Sequence, residues 1–223
     1  MQYIEEREQM CKLVKIMFDR FVTNAVGGNV SMRVGENLAL ITPALMAEEK
    51  FCSLSPEDIM LVDFDMNILE GNGKPSREMD MHCGILKNMP EAAACIHAHP
   101  KNILVFACLE VPLPSVTEAT RKYGVVDVLP YQKACTPDLA GKVIEYFNAK
   151  KEKIKHSGMA VMLARHGIVA IGRSLYEAYN VIERLESNAY IVLAGKLLDD
   201  NPVLKASNLQ DRFKPAVFME TQG

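Results

Sequence analysis

The chain has 223 residues, 49% of them hydrophobic and 24% charged, and a formal net charge of −3; this allows one domain with a sizeable core. So weak a negative charge offers no basic field to a phosphate backbone, which argues against a nucleic-acid partner. No apolar run nears the roughly 18 residues that a membrane helix needs, and the opening MQYIEEREQM is acidic before it is apolar, unlike a signal peptide.

In chain order, residues 5–21 read as an amphipathic helix with Met10, Leu13, Val14, Met17, Phe18 and Phe21 on one stripe. The loop 23–29 follows, where Gly27-Gly28 serves either as a plain turn or as a place where main-chain N–H groups approach a ligand. Residues 30–34 and 38–42 form a predicted hairpin that Pro43 ends; 55–58 is a helix start or turn, and 59–64 with 67–69 a second strand pair. A helix is expected over 77–88 with Met81, Ile85 and Met89 inward, then a strand over 92–97, broken at Pro100, and a helix over 101–109.

Further along, a strand is expected over 125–129 and a helix over 137–148 with Thr136 as its N-cap. The buried strand 158–164 is expected to continue, past His166-Gly167, into 168–171. A long helix over 175–198 carries Tyr176, Tyr179, Ile182, Leu185 and Ala189 in phase. No repeat or linker interrupts the chain, so one α/β domain over 1–223 with a mixed or antiparallel sheet is expected, its tail loosely packed from about 199. The six cysteines, Cys11, Cys52, Cys83, Cys95, Cys108 and Cys135, lack a C-x-x-C pair and mostly sit among apolar neighbours. That predicts reduced core thiols in a cytoplasmic protein.

The chemistry concentrates in residues 74–100, GKPSREMDMHCGILKNMPEAAACIHAHP, and in His166. Side chains two apart on a strand share a face, so His97 and His99 either place two imidazoles on one ion or face solvent at a strand edge. His166 interrupts two apolar strand segments and needs a partner, for which a metal is a good candidate. Three nitrogens with an open fourth position suit a catalytic rather than a closed structural site. Glu78 is either a carboxylate that shares the metal and serves as general base, or a solvated acid at a helix N-terminus. His82, one turn on, either orients Glu78 or fills the space behind it. His156 lies in a charged run and reads as surface.

GGNVSMR at 27–33, ITP at 41–43, PSRE at 75–78, HAHP at 97–100 and RHG at 165–167 together resemble the class II aldolase/adducin family, over nearly the whole chain. The resemblance implies a three-layer α/β/α fold, a homotetramer with the site near a subunit interface, and zinc or another divalent ion such as Mn2+, Co2+ or Fe2+. His97, His99 and His166 would hold that ion with Glu78, which also serves as acid/base. By analogy with L-fuculose-phosphate aldolase within that family, the expected activity is cleavage of a carbon–carbon bond in a sugar phosphate or related hydroxy-keto substrate through a metal-stabilised enediolate. A decarboxylase acting on a carboxylated substrate and a non-enzymatic adducin-like module are the alternatives. Gly28, Asn29, Ser76 and Arg77 would contact substrate.

The sequence departs from the family pattern at Val26, where members carry a threonine, at Ala44-Leu45 for a Ser/Thr-Gly pair, and at Arg77 for a serine. Arg77 brings a planar cation suited to a carboxylate or a differently placed phosphate. The family's proton-donor tyrosine falls near Glu118, which leaves Thr117, Glu118 or a neighbouring subunit to replace it.

Overall fold

Helix periodicity and turn chemistry set most of the elements. A computed structural model of the chain describes residues 1–25, 27–71 and 73–199. Helix α1 (Ile4–Asp19) turns Met10, Leu13, Val14 and Met17 inward, as their spacing dictates. Phe21 does not join that stripe: it lies beyond the helix end at φ 59° and is 63% exposed, because the chain has already left the helix.

Strands β1 (Asn29–Gly35) and β2 (Leu38–Ile41) form the expected hairpin, and β3 (Met60–Asp63) with β4 (Ile68–Glu70) extends it as an antiparallel meander. Between them lies a helix the sequence did not announce, α2 (Met46–Lys50); its 5 residues are too few for a periodic pattern. It begins on Leu45 at φ 57°, a left-handed conformation at the position where the family pattern has glycine.

Helix α3 (Met79–Asn88) starts two residues later than expected, so Glu78 occupies its N-cap, while Met81, Ile85 and Met89 are buried. Strand β5 (Ala94–Ala98) and α4 (Lys101–Leu109) follow. The strand expected over 125–129 shrinks to β6 (Val128–Leu129), and α5 (Pro137–Ala149) opens with Leu139 N donating to Thr136 Oγ1 at 3.4 Å. Strands β7 (Met159–Leu163) and β8 (Gly167–Gly172) correct another expectation. They are antiparallel neighbours rather than one continued strand, and Arg165, at φ 59°, lies in the turn between them. Helix α6 (Leu175–Asp199) buries Tyr179, Ile182, Leu185 and Ala189, but Tyr176 faces outward because Leu175 and Ala178 take the inward positions of its first turn. The expected loose tail lies outside the described residues.

All strands join one sheet in the order β4-β3-β2-β1-β5-β8-β7-β6, antiparallel throughout except at β6–β7. One apolar cluster unites α1, α4 and α6 with Ala94, Ile96 and Ala98 of β5. The other unites α3 and α5 with Cys95 of the same strand. This alternation makes the expected three-layer α/β/α arrangement with a mixed sheet. Cys52, Cys83 and Cys95 are buried thiols, whereas Cys108 and Cys135 are exposed, so the core-thiol expectation fails for these two. Among the described residues no helix is long and apolar enough to cross a membrane.

Candidate metal centre

The centre of the sheet brings together residues that are far apart in sequence. Strand β5 lies between β1 and β8 and pairs His97 with Asn29 on one side and Val169 on the other. His99 stands just past the strand end, and the β7–β8 turn delivers His166 to the same spot. One nitrogen from each of these three imidazoles falls within 4.8 Å of the others. Glu78 reaches them from the start of α3, its Oε2 3.4 Å from His97 Nε2 and its Oε1 3.8 Å from His166 Nε2.

Hydrogen bonds behind the rings decide which lone pairs point inward. His97 Nδ1 donates to Ile168 O and His99 Nδ1 to Gly27 O, each at 3.0 Å. In the neutral tautomers this leaves both Nε2 atoms as acceptors, and neither has a hydrogen-bond partner. Glu78 Oε1 and His166 Nδ1 are also buried without one. Burial, reinforced by His99 and His166, holds the His97 ring well below the ordinary imidazole range; burial lowers His99 and His166 too. Neutral imidazoles around a carboxylate, with several acceptor atoms lacking donors, are a donor set that fits a divalent cation.

Close packing holds the histidines in place. A Cβ on Gly167 would come within 2.5 Å of Ala98 O and 2.8 Å of His99 Cδ2, so a larger residue would drive into both ligand-bearing segments. Gly28, at φ 137°, passes so near that its Cβ would lie 3.0 Å from His97 O. Asn24 Nδ2 donates to His99 O at 3.1 Å, and Glu186 of α6 accepts from Asn102 N and Ile103 N at 3.0 Å each, which secures the chain directly after His99.

A cavity of about 260 Å³ opens over the histidines. Gly28, Asn29, Ser76 and Arg77, the four residues expected to contact substrate, all line it. Two of them are already engaged: Ser76 Oγ accepts from Glu78 N at 3.2 Å, and Asn29 Nδ2 donates to Glu78 Oε2 at 3.0 Å. Arg77 is exposed on the wall, with Leu45, Glu48 and Cys135 nearby on the lining. Leu45 stands at one of the departures from the family pattern, whereas Glu48 and Cys135 escaped as site residues because nothing in their local pattern marks them. Val26 lies outside the described residues. Glu118 is exposed and Thr117 hydrogen-bonds within a cluster with Thr120; among the described residues neither lines the cavity.

His82 is completely buried, and burial pushes its pKa down to about 4. Its ring meets Ser31 and Asn29, and Asn29 in turn reaches Glu78, so His82 stands one link behind the carboxylate. His156 is exposed, as expected.

The sequence profile of the family described as Class II Aldolase and Adducin N-terminal domain matches residues 8–193. The chain belongs to this family. Within the class II aldolase/adducin family, it is 32% identical to the L-fuculose phosphate aldolase of Methanococcus maripaludis over 82% of this chain and 93% of that one. It is 28% identical to the 3-oxo-tetronate 4-phosphate decarboxylase of Haemophilus influenzae over 95% of this chain and 99% of that one. Among solved structures, an L-fuculose 1-phosphate aldolase matches with a TM-score of 0.74 and 28% identity, covering 93% of this chain and 95% of the other. The chain is thus a class II aldolase superfamily protein whose named relatives include both aldolases and decarboxylases.

Proposed function

We propose that the protein is a divalent-metal-dependent aldolase that cleaves a carbon–carbon bond beside a carbonyl in a sugar phosphate or related hydroxy-keto compound. The observation that carries this reading is the convergence of His97 Nε2, His99 Nε2 and Glu78 Oε1, buried acceptors without donors, at the floor of an open cavity. A zinc ion, or another divalent cation, held by His97, His99, His166 and Glu78 supplies a Lewis acid for the carbonyl and an electron sink for the carbanionic fragment.

Glu78 would hold the ion at rest and, once released from it, carry the proton to and from the carbon at which the bond breaks, on its Oε1, which has no hydrogen-bond donor within the chain. Gly28 leaves main-chain room beside His97, while Ser76 ties down Glu78 N. Arg77 presents its guanidinium to a phosphate or carboxylate at the cavity wall. The functional unit is a homotetramer in the cytoplasm, in which a neighbouring subunit contributes the proton donor for the leaving fragment.

Arg77 also favours a second reading, decarboxylation, in which the departing group is carbon dioxide and the arginine grips the carboxylate beforehand. A panel of phosphorylated hydroxy-keto compounds and 3-oxo acids, assayed for both aldehyde and carbon dioxide, separates the two. Aldehyde release alone removes the decarboxylase reading; carbon dioxide alone removes the aldolase.

A further inference from the structure

Behind Glu78 runs a chain of buried polar side chains. Ser31 Oγ lies 2.7 Å from His82 Nδ1, His82 Nε2 meets Asn29 Oδ1, and Asn29 Nδ2 reaches Glu78 Oε2 at 3.0 Å. All four residues are buried, His82 and Ser31 almost completely. The far end sets the direction. An ionised carboxylate only accepts, so the NH₂ end of Asn29 faces Glu78 and its carbonyl end faces His82. That carbonyl also only accepts, so His82 Nε2 bears the hydrogen. In the neutral ring Nδ1 then accepts from the Ser31 hydroxyl. Reversing any one link would set two acceptors, or two donors, against each other in a buried place.

The two oxygens of Glu78 are therefore not equivalent. Oε2 is held by a donor, while Oε1 is buried with none. We propose that His82 is a positioning residue: acting through Asn29, it keeps a donor on Oε2 and so reserves Oε1 as the oxygen that exchanges the substrate proton. This rests on the reading of Glu78 as the proton carrier. Without the His82 N–H, the Asn29 carbonyl becomes a buried acceptor with no donor, and the amide loses the second anchor that holds its NH₂ at Oε2.

Two measurements test this. The first is long-range ¹⁵N–¹H NMR of the His82 ring in the full chain, with and without zinc, and it needs no turnover. A protonated Nε2 and a lone pair on Nδ1 are expected; an Nδ1–H tautomer would overturn the chain of hydrogen bonds. The second compares His82→Leu and His82→Gln on the substrate that the wild type turns over best. With fold and metal content unchanged, His82→Leu should lower kcat by about 100-fold with KM within about threefold. His82→Gln, whose amide can again donate toward Asn29, should recover at least about tenfold of that. A leucine variant with near-normal kcat, or a glutamine variant no better than leucine, overturns the proposal. If leucine does not fold, His82→Asn, too short to donate to Asn29, takes its place with the same expected loss. A wild type inert toward the whole panel would sink the lyase reading and, with it, the role in proton exchange, whereas an Nδ1–H tautomer in an active enzyme would sink the positioning role alone.

Discussion

His97 turns the lone pair of its Nε2 toward Oε2 of Glu78, 3.4 Å away, because its Nδ1 hydrogen is given to Ile168 O. Two electron-rich atoms buried at that distance repel unless a cation lies against them. Purified protein should therefore carry about one divalent ion per chain by elemental analysis, the count a single site of this kind holds. His97→Ala should lower metal affinity by more than the roughly 100-fold that loss of an outer hydrogen-bond partner costs. Full metal occupancy in that variant would refute the site.

Gly167 tests the same centre without removing a ligand. A Cβ there would lie 2.5 Å from Ala98 O and 3.1 Å from His97 Cε1, and the backbone oxygen cannot yield as the end of a long side chain could. Gly167→Ala should cost about 1–3 kcal/mol of stability by overpacking and should bind metal more weakly than wild type. Thermal melts and metal titration check the two effects separately. Unchanged metal binding would mean that the ligand segments tolerate the displacement.

Glu78→Gln keeps the shape and the Asn29 contact region but cannot accept a proton. The variant should still bind metal, with kcat reduced by about 100- to 10,000-fold. Near-normal turnover with metal in place would remove Glu78 from the chemistry.

Arg77→Met should raise KM by about 10- to 100-fold with little change in kcat if the guanidinium anchors a substrate anion equally in ground and transition states. Arg77→Lys should recover only part of the loss, since a lysine cannot form the bidentate pair. Equal KM values in all three proteins would place the substrate anion elsewhere.

The buried His82 ring links stability to pH. Its pKa falls from an ordinary 6.5 to about 4 on folding. The unfolded chain thus takes up a proton near pH 6.5 that the folded chain refuses until near 4. The stabilisation is complete above the unfolded value and drains as pH falls through this window, by roughly 3 kcal/mol in all. Urea midpoints from pH 7 down to 4 should fall less steeply for His82→Gln than for the wild type. Parallel curves would show that the ring is protonated alike in both states.

Strong local signals made much of this legible in the sequence. The alternation around His97 and His99, the N-cap at Thr136 and the apolar stripe of α1 each depend on neighbours a few residues away, and the structure follows them. Two errors came from positions where the chain leaves regular structure on a left-handed residue. Arg165, a non-glycine at φ 59°, hid the β7–β8 reversal, and Phe21, at the same angle, fell off the helix stripe. Two roles stayed open for His82 because helical spacing shows only that it lies a turn from Glu78. That spacing could not show that Asn29, brought over by the β1–β5 pairing, stands between them.

The strand order has a kinetic consequence. Strands β1 to β4 form a consecutive meander on one side of β5, while β8, β7 and β6 complete the other side. The meander is built from near-neighbour contacts, whose loops close cheaply, but His166 joins His97 and His99 only when the late strand β8 docks on β5. A cation bridging this seam would grip a contact of long sequence separation, one whose loop closes at high entropic cost. Its stabilisation would fall on the native side of the barrier, slowing escape from the folded state far more than it hastens arrival.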